Sequence, residues 1–460
     1  MSFWWVARSL IMGVAFSCAF IFAFLPEVFV PSFLLAVVMT GFFLYWRYPA
    51  GYPAFVLWLW LITPEVRRLS DWNMGGMSSE FVMLAPYLVA AIAWLTVIRY
   101  ARGLKRKGSF PFVLASLGVS CGFFTGVINH GIFLALFAFL QWIVPLGLGL
   151  HIALRWKDYY FMRDNLDRFF KWGVLILSAY AIVQFVFLPE WDRLWMQNVD
   201  MRSIGLPEPF LVRVFSTMNS PGPYAIFMMV GLIYLLGTVT LGRVGSLAII
   251  LGYPAFLVTL VRSAWGGWII GVLFLMQKFF LVRGKRFAVL FSMLGLFIVG
   301  GILLLEDGVI VDRIASLSQI GEDPSYLARA QLYAKASSDI ISRPLGAGLG
   351  SFGGTSHVSD AEVIKRYGAF DSGILEIPYV LGWLGGLFYI WALVWLILQI
   401  VQGCFIRNDP YLLTYCAIVM ALVSQLVFGP AHRGVSGVFL WSMIGMTMAS
   451  MKYMSRYGEG

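Results

Sequence analysis

Charge is scarce in this chain. Of its 460 residues only 12% are charged, against about a quarter in an ordinary soluble domain, and 60% are hydrophobic. So little charge cannot clothe a soluble fold of this length, which excludes the soluble enzymes. A disordered chain is excluded too, because its composition is the opposite. Lipid must be the medium. Cysteine is also sparse: Cys18, Cys121, Cys404 and Cys416 lie in or beside apolar stretches without metal-ligand spacing, so neither a disulfide framework nor a zinc site is indicated. The four histidines show no metal spacing either, and Asp360-Ala361-Glu362 reads as part of an acidic loop. The chain lacks a phosphate loop, a dinucleotide fingerprint and a nucleophile elbow, which argues against a nucleotide-driven pump.

What the chain has in abundance is apolar runs. Crossing a bilayer core takes about 20 residues. Runs of suitable length fall near 10–25, 28–46, 51–64, 81–98, 109–127, 131–151, 172–189, 222–242, 244–261, 263–281, 287–305, 373–402, 410–428 and 433–451. The expectation is an all-α, polytopic integral membrane helix bundle of about 12–14 transmembrane helices. Its organisation is helices over 1–305, a loop over 306–372 containing short helices, and further helices over 373–460. The first run follows Arg8 like a signal sequence but lacks a convincing small-residue cleavage site, so it reads as a retained helix.

Lysine and arginine set the orientation. The clusters at 99–108 and 155–171, with Arg283, Lys285 and Arg286, read as cytoplasmic. Alternation from these puts both termini inside and leaves 65–80, 190–221 and 306–372 as long outer segments. The net charge of +10 then reflects basic inner loops, not a nucleic-acid partner. Within the last outer segment, Leu327, Leu332, Ala336 and Ile340 recur at helical spacing, which predicts a helix over 325–341 lying on the membrane. The turn-rich run Pro344-Leu345-Gly346-Ala347-Gly348-Leu349-Gly350 follows it.

Most basic residues placed outside are arginine: Arg67, Arg68, Arg193, Arg202, Arg213, Arg262, Arg313, Arg329, Arg343, Arg366 and Arg433. Arginine suits bidentate phosphate binding, although pairing with outer acids would equally account for most of them. Arg262 stands between two apolar runs with no acid nearby in sequence, a functional candidate unless it merely snorkels to the interface. Arg213 precedes Ser216-Thr217-Met218-Asn219-Ser220-Pro221, where a helix start would offer backbone N–H groups to an anion or simply be capped. Arg329 lies on the predicted loop helix and Arg343 just after it. Asp371 stands at the mouth of the next span with Glu376 one turn deeper, either as helix-start carboxylates or as a general base.

These segments together resemble the O-antigen ligase and Wzy-type polysaccharide polymerase superfamily, best over roughly 205–390. Asp371-Ser372-Gly373-Ile374-Leu375 followed by Gly382-Trp383-Leu384-Gly385 is similar to its H-N-x-x-L and G-x-x-G hallmark. Arg262 matches the arginine of its S-R-G-like segment, with Val261 and Ser263 replacing the flanking residues. Arg329, Tyr333 and the Pro344–Gly348 run match its R-x-x-x-aromatic and P-x-G-x-G portion, and Arg213 to Pro221 resembles an upstream segment. The family's histidine is Asp371 here and its asparagine Ser372. That departure points away from ligation to lipid A-core and toward polymerases.

The resemblance implies a bacterial inner-membrane glycosyltransferase working on the periplasmic face. It would join undecaprenyl-pyrophosphate-linked oligosaccharides, as donor and acceptor, and release polyprenyl pyrophosphate without metal or other cofactor. Arg262 and Arg329, helped by Arg213, would hold the pyrophosphate, with Asp371 engaging the acceptor hydroxyl. Arg343, Glu376 and Asn219 would be secondary. A flippase and a chain-length regulator are the implied protein partners. Two alternatives stay open: an O-antigen ligase acting on lipid A-core, and a transporter or flippase of lipid-linked sugars.

Overall fold

The computed structural model describes residues 22, 26–77, 79–100, 108–199, 202–238, 242–282, 324–352, 372–406 and 409–457. In chain order the helices are α1 (Pro26–Arg47), α2 (Tyr52–Asn73), α3 (Ala85–Ala91), α4 (Trp94–Arg99), α5 (Phe110–His130) and α6 (Ile132–Leu154). They continue with α7 (Tyr159–Phe187), α8 (Glu190–Asn198), α9 (Pro221–Gly237), α10 (Gly242–Val258) and α11 (Arg262–Val282). The chain closes with α12 (Pro324–Ser342), α13 (Gly373–Ile406), α14 (Pro410–Ser424) and α15 (Gly434–Tyr457). Among the described residues the only β pairing is one isolated bridge, Gly205–Val212. Among the described residues, eight helical segments are long and apolar enough to cross a membrane. The protein is an all-α, multi-pass membrane helix bundle.

Every expected span inside the described residues falls on helix, while those at 10–25 and 287–305 lie outside them. The expected loop helix is α12. One boundary differs: α2 runs on through Asn73, deep into the segment 65–80 that its charges mark as a loop. Its charged residues point inward, with Arg67, Arg68 and Asp71 buried on one face at helical spacing.

The helices divide into two compact units. The first comprises Met1–Arg99, Lys157–Gly231 and Leu241–Val261, and the second Tyr100–Trp156, Leu232–Thr240 and Arg262–Gly460. In the first, α7 packs against α10 and α2. In the second, α13 packs on α5 and α15 on α6. Small residues set these latter crossings. A Cβ on Gly118 would overlap the Gly385 carbonyl, and one on Gly445 the Gly149 carbonyl, so the paired backbones touch.

The glycine run enters this second unit as a turn-rich, non-helical segment. Gly382 (φ 72°) breaks α13 and frees two carbonyls. Ala347 N–H donates to Tyr379 O (2.8 Å), Gly348 N–H to Val380 O (3.0 Å) and Trp383 N–H returns to Pro344 O (2.8 Å). On the other side Leu349 N–H donates to Gly122 O (2.8 Å) of α5. Non-helical backbone is tolerated at such depth only where protein satisfies it. Gly348 (φ 88°) admits no side chain, since a Cβ would overlap the Gly126 backbone.

Replacing Gly348 by alanine therefore forces strain and displaces the inserted segment. The expected loss is about 1–3 kcal/mol or more, read as a lower thermal midpoint in detergent. Gly266→Ala, where a Cβ meets nothing within 4 Å, should leave the midpoint unchanged.

Candidate functional site

Two buried polar clusters stand out, one in each unit. In the first unit Arg68 is completely enclosed. Its guanidinium bonds the Glu65 carboxylate and the carbonyls of Met218 and Ser216, the last at 2.6 Å. Its Nε lies 3.0 Å from Asp192 Oδ1, and its face covers the Phe215 ring. Gln184 donates to Asp192 Oδ2 (2.7 Å) and accepts from the N–H groups of Phe215 (2.8 Å) and Ser216 (2.9 Å). The Tyr180 hydroxyl lies 2.9 Å from both carboxylates. Burial pushes the Asp192 carboxyl up to about 6, outweighing the pull of Arg68. Arg68 thus ties α2, α7, α8 and the 215–218 segment into one structural node.

Removing Arg68 would leave the buried Asp192 carboxylate and the half-buried Glu65 without their shared cation. Arg68→Ala should cost about 3–5 kcal/mol, and Arg68→Lys should recover only part, since an ammonium cannot serve this planar set of acceptors. Thermal unfolding and the yield of monodisperse protein report both.

The second unit is different. Its helix starts α11, α13 and α15 lie at one end, the end that receives the glycine run. Gln425 Nε2, in the turn after α14, donates to Ser263 O (3.0 Å) and so draws the start of α11 toward that of α15. Gly373 N–H donates to Gly429 O (3.2 Å), joining the start of α13 to the same turn. Arg433 then reaches in from this turn, its Nε 2.6 Å from Glu376 Oε1 and its Nη1 2.7 Å from Gln141 Oε1. Beside them His432 is fully buried against Trp142 (4.2 Å between ring centres), with Nε2 3.8 Å from Glu376 Oε2. Among the described residues neither His432 nitrogen nor Glu376 Oε2 makes a hydrogen bond. Just outside, the Tyr333 hydroxyl of α12 lies 3.0 Å from Ser372 Oγ.

Chemically this is a carboxylate anchored by one arginine, with a free oxygen beside a neutral imidazole. His432 sits outside the spanning helices, and burial, then the neighbouring Arg433 charge, holds its pKa well below the usual range. Its approach to Glu376 is therefore no ion pair.

The structure brings several expected residues to this end and leaves others elsewhere. Glu376 is buried in the cluster. Arg262 is exposed at the start of α11, and Arg343 is exposed at the end of α12. Arg329 lies on α12, but its side chain and the whole of Asp371 lie outside the described residues. Arg213 belongs to the first unit, where its guanidinium donates to the carbonyls of Thr259 (3.2 Å) and Leu260 (3.0 Å). It caps the end of α10 and fixes the turn in which Leu260 takes φ 55°. Asn219, also in the first unit, offers its carbonyl to Trp195 Nε1 (3.2 Å). Sequence reasoning missed His432 as a member and Arg433 as the partner of Glu376. Their signal was a histidine–arginine pair set between Pro430 and Gly434 at the mouth of the last span.

Because the unfolded chain takes up a proton at His432 near pH ~6.5 and the fold does not, the stability it contributes is complete above that pH and lost as pH falls through it. Against His432→Gln, the wild-type thermal midpoint should fall between pH 7.5 and 5.5. A difference independent of pH would mean that folding leaves the proton affinity of His432 unchanged. No protein-family model matches the chain, and no curated protein matches it.

Proposed function

We propose that the protein is a glycan polymerase that transfers a growing chain from one polyprenyl pyrophosphate to another lipid-linked repeat unit. The observation that supports this reading is the convergence, at one end of the second unit, of three helix starts with Arg262, Arg433, Glu376 and His432. Helix starts and arginines favour anions. A pyrophosphate leaving group develops negative charge in the transition state, and fixed cations aimed at it lower the barrier.

In this proposal Arg262 and Arg329 hold the pyrophosphate and Asp371 takes the acceptor hydroxyl's proton as the glycosidic bond forms. Glu376 and Gln141 hold Arg433 at the same mouth as a further cation for the pyrophosphate, with His432 packed behind them. Arg343 stays secondary. The activated bond arrives with the lipid, so the reading needs no nucleotide. A transporter is less well supported, since transporters bind near the bilayer midplane, whereas this cluster occupies one end of its helices.

The purified protein in lipid nanodiscs, given lipid-linked repeat units alone, should yield a ladder of lipid-linked oligomers and free polyprenyl pyrophosphate. Arg262→Ala and Arg329→Ala should each lower product about 100-fold or more while the protein still elutes as a single species. Asp371→Asn should slow single turnover more than it weakens donor binding. Normal polymer from both arginine variants would overturn the assignment, and turnover only with lipid A-core present would make the protein a ligase.

A further inference from the structure

The first unit contains a cavity of about 800 Å³ that the proposed reaction does not use. It lies between the α1–α2 hairpin and α7, at the end of these helices opposite the Arg68 node. This end carries Lys157, Arg163, Arg168 and Lys171, with Asp164 beside Arg163 (3.2 Å) and Asp167 beside Lys171 (4.0 Å). From Gly51 to Thr63 it follows α2 for about 18 Å at 1.5 Å per residue, which is roughly one leaflet of a ~30 Å bilayer core.

Its walls and its mouth differ in chemistry. Ala54, Trp58, Leu59 and Phe169 form an apolar floor, and Ile62, Phe161, Trp172 and Ile176 stand exposed along one side. In a bilayer that side opens laterally to lipid. The mouth carries Arg47 from the end of α1, Arg168 from α7, and one acid, Asp158. Asn165 donates to Ala50 O (3.3 Å), which holds the hairpin turn against α7 at this level. Tyr48 adds an amphipathic ring typical of the headgroup region.

An apolar slot one leaflet deep, open sideways and topped by two arginines against one carboxylate, matches one class of ligand. We infer that it binds an acidic glycerophospholipid, with acyl chains along α2 and α7 and the phosphate between Arg47 and Arg168. A water-soluble anion would leave the slot's apolar walls uncovered. A zwitterionic lipid would bring its own cation to a mouth that already has net positive charge.

The test measures lipid retained by the full chain. Protein is delipidated in mild detergent, incubated with equal phosphatidylglycerol and phosphatidylcholine, repurified, and its bound lipid counted by native mass spectrometry. Wild type should retain phosphatidylglycerol with about tenfold preference, and Arg47→Gln with Arg168→Gln should bring that to within about twofold of parity. Ala54→Trp, which fills the floor, should lower retention of both lipids. Single-species elution of each variant shows that it remains folded. Equal retention of the two lipids by wild type, an undiminished preference in the double variant, or unchanged retention in Ala54→Trp would overturn the inference. So would thermal stabilisation by glycerol 1-phosphate equal to that by phosphatidylglycerol, since the acyl chains would then contribute nothing. None of these readouts depends on glycan synthesis.

Discussion

In hydrocarbon no water is available to hydrogen-bond a peptide group, so every buried N–H and C=O must find its partner within the protein. Helices meet that demand locally, and most of this chain does no more. The informative places are those where the helix stops while the backbone is still enclosed. At Gly382 the break in α13 exposes the carbonyls of Tyr379 and Val380, and the 346–349 segment supplies the missing donors. The two irregularities cancel. Neither the broken helix nor the inserted loop would be tolerable without the other, which explains why a glycine-rich run and a glycine-spaced helix occur in one sequence. It also anchors the C-terminal part of the long loop at the end of the second unit where the polar cluster lies.

Charge obeys the same rule at higher stakes, because an ion removed from water must be compensated almost completely. The two clusters solve this to different degrees. Arg68 has two carboxylates, two carbonyls and an aromatic face, and its carboxylates are bonded in turn by Gln184 and Tyr180. Ties of this kind to several elements fix geometry, with Arg68 Nε and Asp192 Oδ1 meeting as an ion pair at 3.0 Å. Glu376 is compensated on one oxygen only, beside an imidazole with both nitrogens free of hydrogen bonds among the described residues. Incomplete satisfaction in a buried site has a stability cost, and a site that must engage a further group has reason to bear it. The two clusters differ in their charged partners: Arg68 meets two carboxylates and two carbonyls, whereas Glu376 Oε2 faces an imidazole at 3.8 Å.

The spans were legible because hydropathy over about 20 residues averages out local detail. The break at Leu260-Val261-Arg262 and the extent of α12 were legible for the same reason, a charge or a period standing out against its surroundings. What sequence did not reveal were pairings over long separations. Glu376 was visible as an acid at a helix start, but its partner Arg433 lies 57 positions away. Arg213 looked like an anion-binding residue because nothing local indicates that two carbonyls 46 and 47 residues later take its guanidinium. The 65–80 segment looked like a solvated loop, since four charges in seven residues lower the window average. The spacing of Arg68 and Asp71 on one helix face was the available sign that they turn inward.

The arrangement of the second unit bears on why an acid belongs in an anion-binding mouth at all. Arg433 must project from a short turn between α14 and α15, where a long flexible side chain would sample many rotamers. Glu376 on one side and Gln141 on the other hold the guanidinium from two helices. The carboxylate sits in the first turn of α13, where the helix dipole offsets part of its charge. One of its oxygens is committed to Arg433, while Arg262 stands exposed at the neighbouring helix start. On the proposed reading, Glu376 therefore orders one cation without neutralising the mouth. An arginine preorganised in this way need not be reoriented as charge develops on a leaving group, which is the condition under which fixed charges accelerate a reaction.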